Sequence, residues 1–448
     1  MTVHRLFFIL FIISGISSCG TGKKAQRQEV SFDEGIRQIN HLVVVYMENH
    51  SFDNLYGEFK GANGIKNARK GNFIQVDEQG KPYQYLPEIP RNNAFPTNLP
   101  NQLFNIDQYV PSDKKTPDVT HRFFHNRLQI NGGKMDQFAV YNSTKGLAMG
   151  YYSTKKLPLY PLAKQYTLCD NFFQSVFGGS YFNHVYLISA AVPVWPDAPE
   201  SMIAKVDDNG RMIKDGTVTS DGYVVNHIHS RNRPYPPKSD TSELLPSQTM
   251  PTIGDRLSEK GISWAWYSEG WDDAVAGREN NFAYNHEPFL YFARYEEGTE
   301  GRKHMKDQND FIKAAKEGTL PSVSFVKPGG GNDEHPGGSD VYSSEQLAVN
   351  LINAVLEGPN AKDALVILTY DEFGGFFDHV PPPVIDRWGP GSRIPAIIMG
   401  PFAKKGHVDH TQYETVSILS FIEHRWGIAP LAERDKNANP FRNALIFK

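Results

Sequence analysis

Apolar residues along the chain gather in short unbroken runs rather than in alternation. "HLVVVYM" (41–47), "SWAWYS" (263–268), "PSVSFV" (321–326), "ALVILTY" (364–370) and "IPAIIMG" (394–400) read as strands covered on both faces, because a half-exposed strand would alternate. Between them, "SSEQLAVNLINAVLEG" (343–358) repeats Leu347, Leu351, Ile352 and Val355 at helical spacing, with serines to cap its start and Gly358 to stop it. "TQYETVSILSFIEHRWG" (411–427) reads as another helix. This strand, helix, strand order predicts an α/β layered fold with a largely parallel sheet. The stretches 83–118 and 230–249, rich in Pro, Asn, Ser and Tyr, are expected as long surface excursions.

Two of the apolar runs stop abruptly at adjacent oxygen-bearing side chains, Glu48-Asn49 and Asp371-Glu372. Neighbours on a regular strand point to opposite faces, so each pair can share a ligand only just past the strand end, where the chain turns. Gly374-Gly375 after one pair, and His50-Ser51 with Asp53-Asn54 after the other, supply such turns. Ligands of open α/β sheets bind at the carboxyl ends of the strands. Three carboxylates and an amide oxygen gathered there need a cation, and hard oxygen donors suit a divalent metal. Either pair alone reads equally well as a helix cap or a solvated turn. Two matching pairs favour the metal.

The amino terminus changes the picture of where the protein works. "MTVHRLFFILFIISGISSCG" has a basic start, an apolar run from Leu6 to Ile13 and small residues before Cys19, a secretory signal too short to span a bilayer. Ile16-Ser17-Ser18-Cys19 resembles a bacterial lipobox, so residues 1–19 are expected as a signal peptide with Cys19 lipidated, 20–38 as a polar tether, and 39–448 as a single domain. Cys169 would then be the one remaining cysteine, leaving no intramolecular disulfide. The 448 residues suffice for a large core, and a net charge of −4 without a basic block gives nucleic acid no electrostatic support. Membrane association is expected through the lipid; oligomeric state is left open.

"MENHSFDNLYG", "NGGKMDQF", "DNFFQSVFGGSYFNHVY", "HPGGS" and "YDEFGGFFDHVPPP", in that order, resemble the bacterial phosphoesterase family of acid phosphatases and phospholipases C. The resemblance implies an alkaline-phosphatase-like three-layer α/β sandwich, with a largely parallel central sheet and long loop insertions capping the site. It implies one divalent metal (calcium, magnesium, manganese or zinc) on Glu48, Asn49, Asp371 and Glu372, and Ser180 as nucleophile. A serine after two glycines suits a sharp turn that exposes its oxygen, or a plain surface turn. Gly179 and Phe182 stand where the family commonly has prolines, and His184 where it has arginine. His121, His286 and His335 match the family's active-site histidines, although Asn285 replaces the first member of a His-His pair. Asn183, His184, Asp378 and His379 are carried over as substrate-binding candidates; Asp378 and His379 equally suit orienting their loop.

The implied activity is a metal-dependent phosphate-ester hydrolase acting through a phosphoserine intermediate. Histidines acting as cationic clamps would push its optimum toward acid, which favours an acid phosphatase. A phospholipase C uses the same parts, and a lipid anchor would place it beside its substrate. The chain stops soon after "RDKNANPFRNALIF", unlike the large haemolytic members. No sulfatase motif is found. An inactive phosphate-binding or nutrient-binding lipoprotein is the alternative from another class. Gly20 after Cys19 leads to the expectation of an outer-membrane destination, on either the periplasmic or the surface face.

Overall fold

In the computed structural model His41–Met47 (β1), buried from Leu42 onward, sits near the middle of an eight-stranded sheet. The other strands in chain order are Thr167–Cys169 (β2), Trp264–Ser268 (β3), Met305–Asp307 (β4), Val323–Lys327 (β5), Ala364–Tyr370 (β6), Ala396–Met399 (β7) and His407–Asp409 (β8). They line up as β8-β2-β7-β6-β1-β5-β3-β4, and β7 is the strand antiparallel to both its neighbours. The structure describes Met1 and residues 30–68, 73–90 and 92–447. The expected signal segment and Cys19 lie outside these residues.

Every residue of β6, and all of β1 after His41, is buried. This is what continuous apolar runs require, since each face must be covered by other elements. Helices Ser180–Ser189 (α1) and Ser417–Trp426 (α4) pack on each other, as do Gln308–Glu317 (α2) and Val341–Leu356 (α3). Helix α2 lies against β3, β4 and β5, and α3 against β6. The architecture is the expected α/β sandwich around a mostly parallel sheet.

Boundaries shift where side chains compete. Helix α3 begins earlier than the serines suggest, because Asp340 takes the N-cap and accepts from the Ser343 amide at 2.8 Å. The expected helix over 411–427 starts only at Ser417; Tyr413–Glu414 instead pairs with Phe172–Phe173, and Gly427 closes the helix in the left-handed conformation. The stretch 83–118 has little regular structure, as expected, but it is not only surface: Leu86, Ile89, Phe95, Leu99, Phe104 and Ile106 are buried. Residues 32–38, expected in the tether, form a helical turn and a 3-10 turn whose Phe32 meets Phe447, 6.1 Å between ring centroids.

Candidate active site

β1 lies between β5 and β6, and Met47 pairs with Tyr370. Glu48 and Asp371 therefore leave the sheet side by side, at the carboxyl edge where parallel strands open. Lys327 ends β5 one strand away. Asn49 adopts φ 67° and its amide donates to Asp371 Oδ1 at 3.0 Å, joining the two turns. Gly374 has φ 63°, and a Cβ there would overlap the Asn49 carbonyl, so only glycine lets the turns approach this closely. Glu48 does not cap the following helix Phe52–Tyr56; Ser51 does, accepting from the Asn54 amide at 3.2 Å.

Glu48, Asn49, Asp371 and Glu372 are all fully buried. The inward atom of the Asn49 amide lies 3.1 Å from Glu48 Oε2, 3.2 Å from Ser180 Oγ, 3.2 Å from Asp371 Oδ1 and 2.7 Å from Glu372 Oε1, and its outward atom 2.8 Å from His335 Nε2. His335 Nδ1 sits 2.7 Å from the Pro336 carbonyl, which calls for a proton there and leaves Nε2 a lone pair. The Asn49 amino group then donates outward to His335, and its oxygen faces inward into a ring of oxygens. Such a ring repels itself unless a cation joins it, and three carboxylates with one amide oxygen fit a hard divalent ion. Asp371 Oδ2 finds no hydrogen-bond partner among the described residues.

The electrostatics agree. Burial raises Glu48 above the usual carboxylate range against the pull of Lys327. Burial and then the Glu48 charge raise Asp371; burial and then Asp371 raise Glu372. A cation in the ring would oppose these shifts and favour the charged carboxylates.

Ser180 is the first residue of α1, and its Oγ lies 2.8 Å from Glu48 Oε2 and 3.2 Å from Asn49 Oδ1. The preceding turn runs through Gly178 at φ 86°, where a Cβ would overlap the Phe123 backbone. Asn183 holds this turn: its amide donates to the carbonyls of Gly178 (3.2 Å) and Gly179 (3.3 Å) and accepts from the Val176 amide at 3.3 Å.

The histidines divide into two groups. His121 and His335 face the open side with ring centroids 5.3 Å apart, and His121 Nε2 lies 3.8 Å from Glu372 Oε1. His184 and His286 stack at 4.8 Å on the inner side, beside Glu48 Oε1 at 3.5 and 3.3 Å. Burial lowers His121 below its ordinary range, and burial followed by Lys327 holds His184 and His286 well below theirs. These shifts run against the charged form in all three, so they do not favour the expected imidazolium clamps.

A family model described as the Phosphoesterase family matches residues 39–429. The chain belongs to that family. It is 24% identical over 92% of its length to the hemolytic phospholipase C of Pseudomonas aeruginosa, and spans 55% of that protein. It is 23% identical to phospholipase C B of Mycobacterium tuberculosis, over 88% of this chain and 74% of that one. Non-specific phospholipase C3 of Arabidopsis thaliana is 24% identical over 89% of the chain and 72% of its own length. Among solved structures, a protein in the alkaline phosphatase superfamily from Vibrio parahaemolyticus aligns with TM-score 0.35 and 10% identity, over 73% of this chain and 75% of that one.

In this phosphoesterase-family chain Asp378 and His379 do not join the oxygen ring. Asp378 accepts from the Asp53 amide (3.0 Å) and from Arg393 Nε (3.0 Å), while Asp53 meets His379 Nδ1 at 2.6 Å and Arg393 at 3.1 Å. Burial opposes a charge on His379, but the Asp53 hydrogen bond and charge raise it above its ordinary range. The four side chains clamp the segment after Glu48-Asn49 to the loop after Asp371-Glu372. This geometry matches the loop-orienting alternative for Asp378 and His379. Lys327, Asp333 and Arg393 were not singled out by sequence reasoning, and Asp53 only as a turn residue. Lys327 carried the same signal as Glu48, an apolar run ending in a charge.

Proposed function

We propose that the chain is a metal-dependent phosphoric ester hydrolase with Ser180 as its nucleophile. The observation that carries this is the position of Ser180 Oγ, 2.8 Å from Glu48 Oε2 on the rim of the oxygen ring. Glu48, Asn49, Asp371 and Glu372 would hold one divalent ion, and their oxygens suit calcium, magnesium, manganese or zinc. When bound, the ion supplies positive charge that favours an ionised serine hydroxyl and balances the phosphoryl oxygens. Ser180 presents its oxygen at the amino end of α1, where free backbone amides point toward an anion. Its attack on phosphorus breaks the bond to the leaving alcohol and forms phosphoserine, which water then hydrolyses. His121, on the open side, is placed to meet the phosphoryl group or the leaving oxygen; His335 orients Asn49, and His286 supports Glu48.

Charge supports a diester over a monoester. Four buried carboxylates, Glu48, Asp333, Asp371 and Glu372, are opposed by Lys327 and one divalent ion. That leaves a net charge of −1 before substrate, so a singly charged diester is opposed less than a dianionic monoester. With histidines shifted toward the neutral form and relatives named phospholipase C, this supports a phospholipase C type of substrate over the acid phosphatase reading. Lipidation at Cys19 and attachment to an outer membrane belong to the same proposal, since an anchor would hold the site near lipid. No helix among the described residues is long and apolar enough to cross a membrane.

The test is hydrolysis of p-nitrophenyl phosphorylcholine and p-nitrophenyl phosphate by the metal-replete protein, with Ser180→Ala and chelator controls. Faster diester turnover, lost in both controls, is the expected result. Faster monoester turnover would return the assignment to a phosphatase. No turnover of either would bring forward the inactive binding lipoprotein.

A further inference from the structure

We propose that Lys327 is a built-in cation occupying a second metal pocket of the site, so that the protein takes one divalent ion where its donor atoms would otherwise accept two. The inference rests on the reading of the oxygen ring as a metal site. Glu48 is divided between two environments: Oε2 faces Ser180 and Asn49, while Oε1 lies 3.1 Å from Lys327 Nζ, 3.3 Å from His286 Nδ1 and 3.5 Å from His184 Nε2. Ligand atoms of Glu48, His184 and His286 fall within 4.8 Å of one another, a set able to hold an ion. Asp333 Oδ2 adds a fourth donor, 3.8 Å from His286 Nδ1. Two imidazoles and two carboxylates suit zinc and similar borderline metals.

The ammonium already lies among these donors. Lys327 is 2% exposed; it donates to Asp333 Oδ2 at 3.3 Å and to the Pro328 carbonyl at 3.1 Å, and it forms an ion pair with Glu48 Oε1 at 3.1 Å. His184 is fixed in one orientation, its Nδ1 on the Ser180 carbonyl at 2.8 Å, which turns its Nε2 lone pair inward. Among the described residues, His184 Nε2, His286 Nδ1 and Glu48 Oε1 are buried without hydrogen-bond partners. They are left over around the ammonium, as expected for ligand atoms whose pocket is filled by a cation that cannot coordinate them. Lys327 is thus a positioning charge: its ammonium meets Glu48, Asp333 and the Pro328 carbonyl, and it fixes how Glu48 is shared.

Zinc titration of the chelator-treated full chain, followed by calorimetry and by metal content after desalting, tests this. The wild type is expected to bind one equivalent, Lys327→Ala two, Lys327→Arg one, and Lys327→Ala with His286→Ala one. Lys327→Met serves if the alanine variant does not fold, and circular dichroism establishes folding before each titration. Two equivalents in the wild type, or one in the folded alanine and methionine variants, would overturn the inference. None in the wild type but one in Lys327→Ala would uphold the lysine's role while refuting the oxygen-ring metal; none in either would refute both.

Discussion

Asn49 and Asp371, 322 residues apart in the chain, are joined by a 3.0 Å hydrogen bond from the Asn49 amide to the Asp371 carboxylate. The bond exists because β1 and β6 run parallel and in register up to Met47 and Tyr370. The site is thus a product of strand pairing, and several consequences can be measured.

Ser180→Ala removes the proposed nucleophile while leaving the turn and helix intact. We expect turnover to fall at least about a thousand-fold, with metal affinity changed little. Single-turnover kinetics on wild type should show a burst of p-nitrophenol, absent from the variant.

Asn183→Ala leaves the Gly178 and Gly179 carbonyls and the Val176 amide without their side-chain partner. Stability should fall by about 1–3 kcal/mol, read by urea unfolding, and kcat should fall with KM nearly constant. A KM effect alone would instead mark Asn183 as a substrate contact.

Arg393→Met breaks a fully buried clamp, removing the arginine partner of Asp378 and leaving Asp53 with His379 alone. The expected cost is about 3–5 kcal/mol. Asp53→Asn combined with Asp378→Asn in that background should recover part of it, and failure to recover any would show that the arginine's stem packing dominates.

Glu345 is buried in α3, and burial pushes it up to about 8, against the Leu159 amide that donates to it at 2.8 Å. Because the folded state holds this proton more tightly than the unfolded chain, its stabilising effect is complete below the usual carboxylate range. It is lost as pH rises toward 8. Glu345→Gln should flatten the decline of Tm between pH 5 and 8, a difference of roughly 1–3 kcal/mol; parallel curves for both proteins would contradict this.

The raised Glu48, Asp371 and Glu372 carboxyls must shed protons to take a metal ion. Metal affinity should therefore rise with pH from 5 to 8, with proton release on binding that calorimetry in buffers of different ionisation enthalpy will detect.

The central strands could be read from sequence because full burial leaves a continuous apolar run, and the ligand pairs because such a run ends in oxygen side chains. Strands β2, β4 and β8, three residues each, are too short to carry a period. Lys327 escaped because a strand-terminal lysine ordinarily reaches solvent; only tertiary packing brings Asp333 and the two inner histidines around it. Asn183 was placed at the substrate by resemblance, whereas the turn it holds is visible only in three dimensions. The buried residues of 83–118 follow no regular spacing, so nothing marked them as core.

The two ligand turns are held by the Gly374 approach, the Asn49 amide and the Asp53, Arg393, Asp378 and His379 clamp, all of them contacts within the chain. An ion held in the proposed ring would therefore be a tenant and not a keystone. A protein built this way is expected to give up its ion and take another without refolding, so the metal would follow the supply around it and not the conditions under which the chain folded.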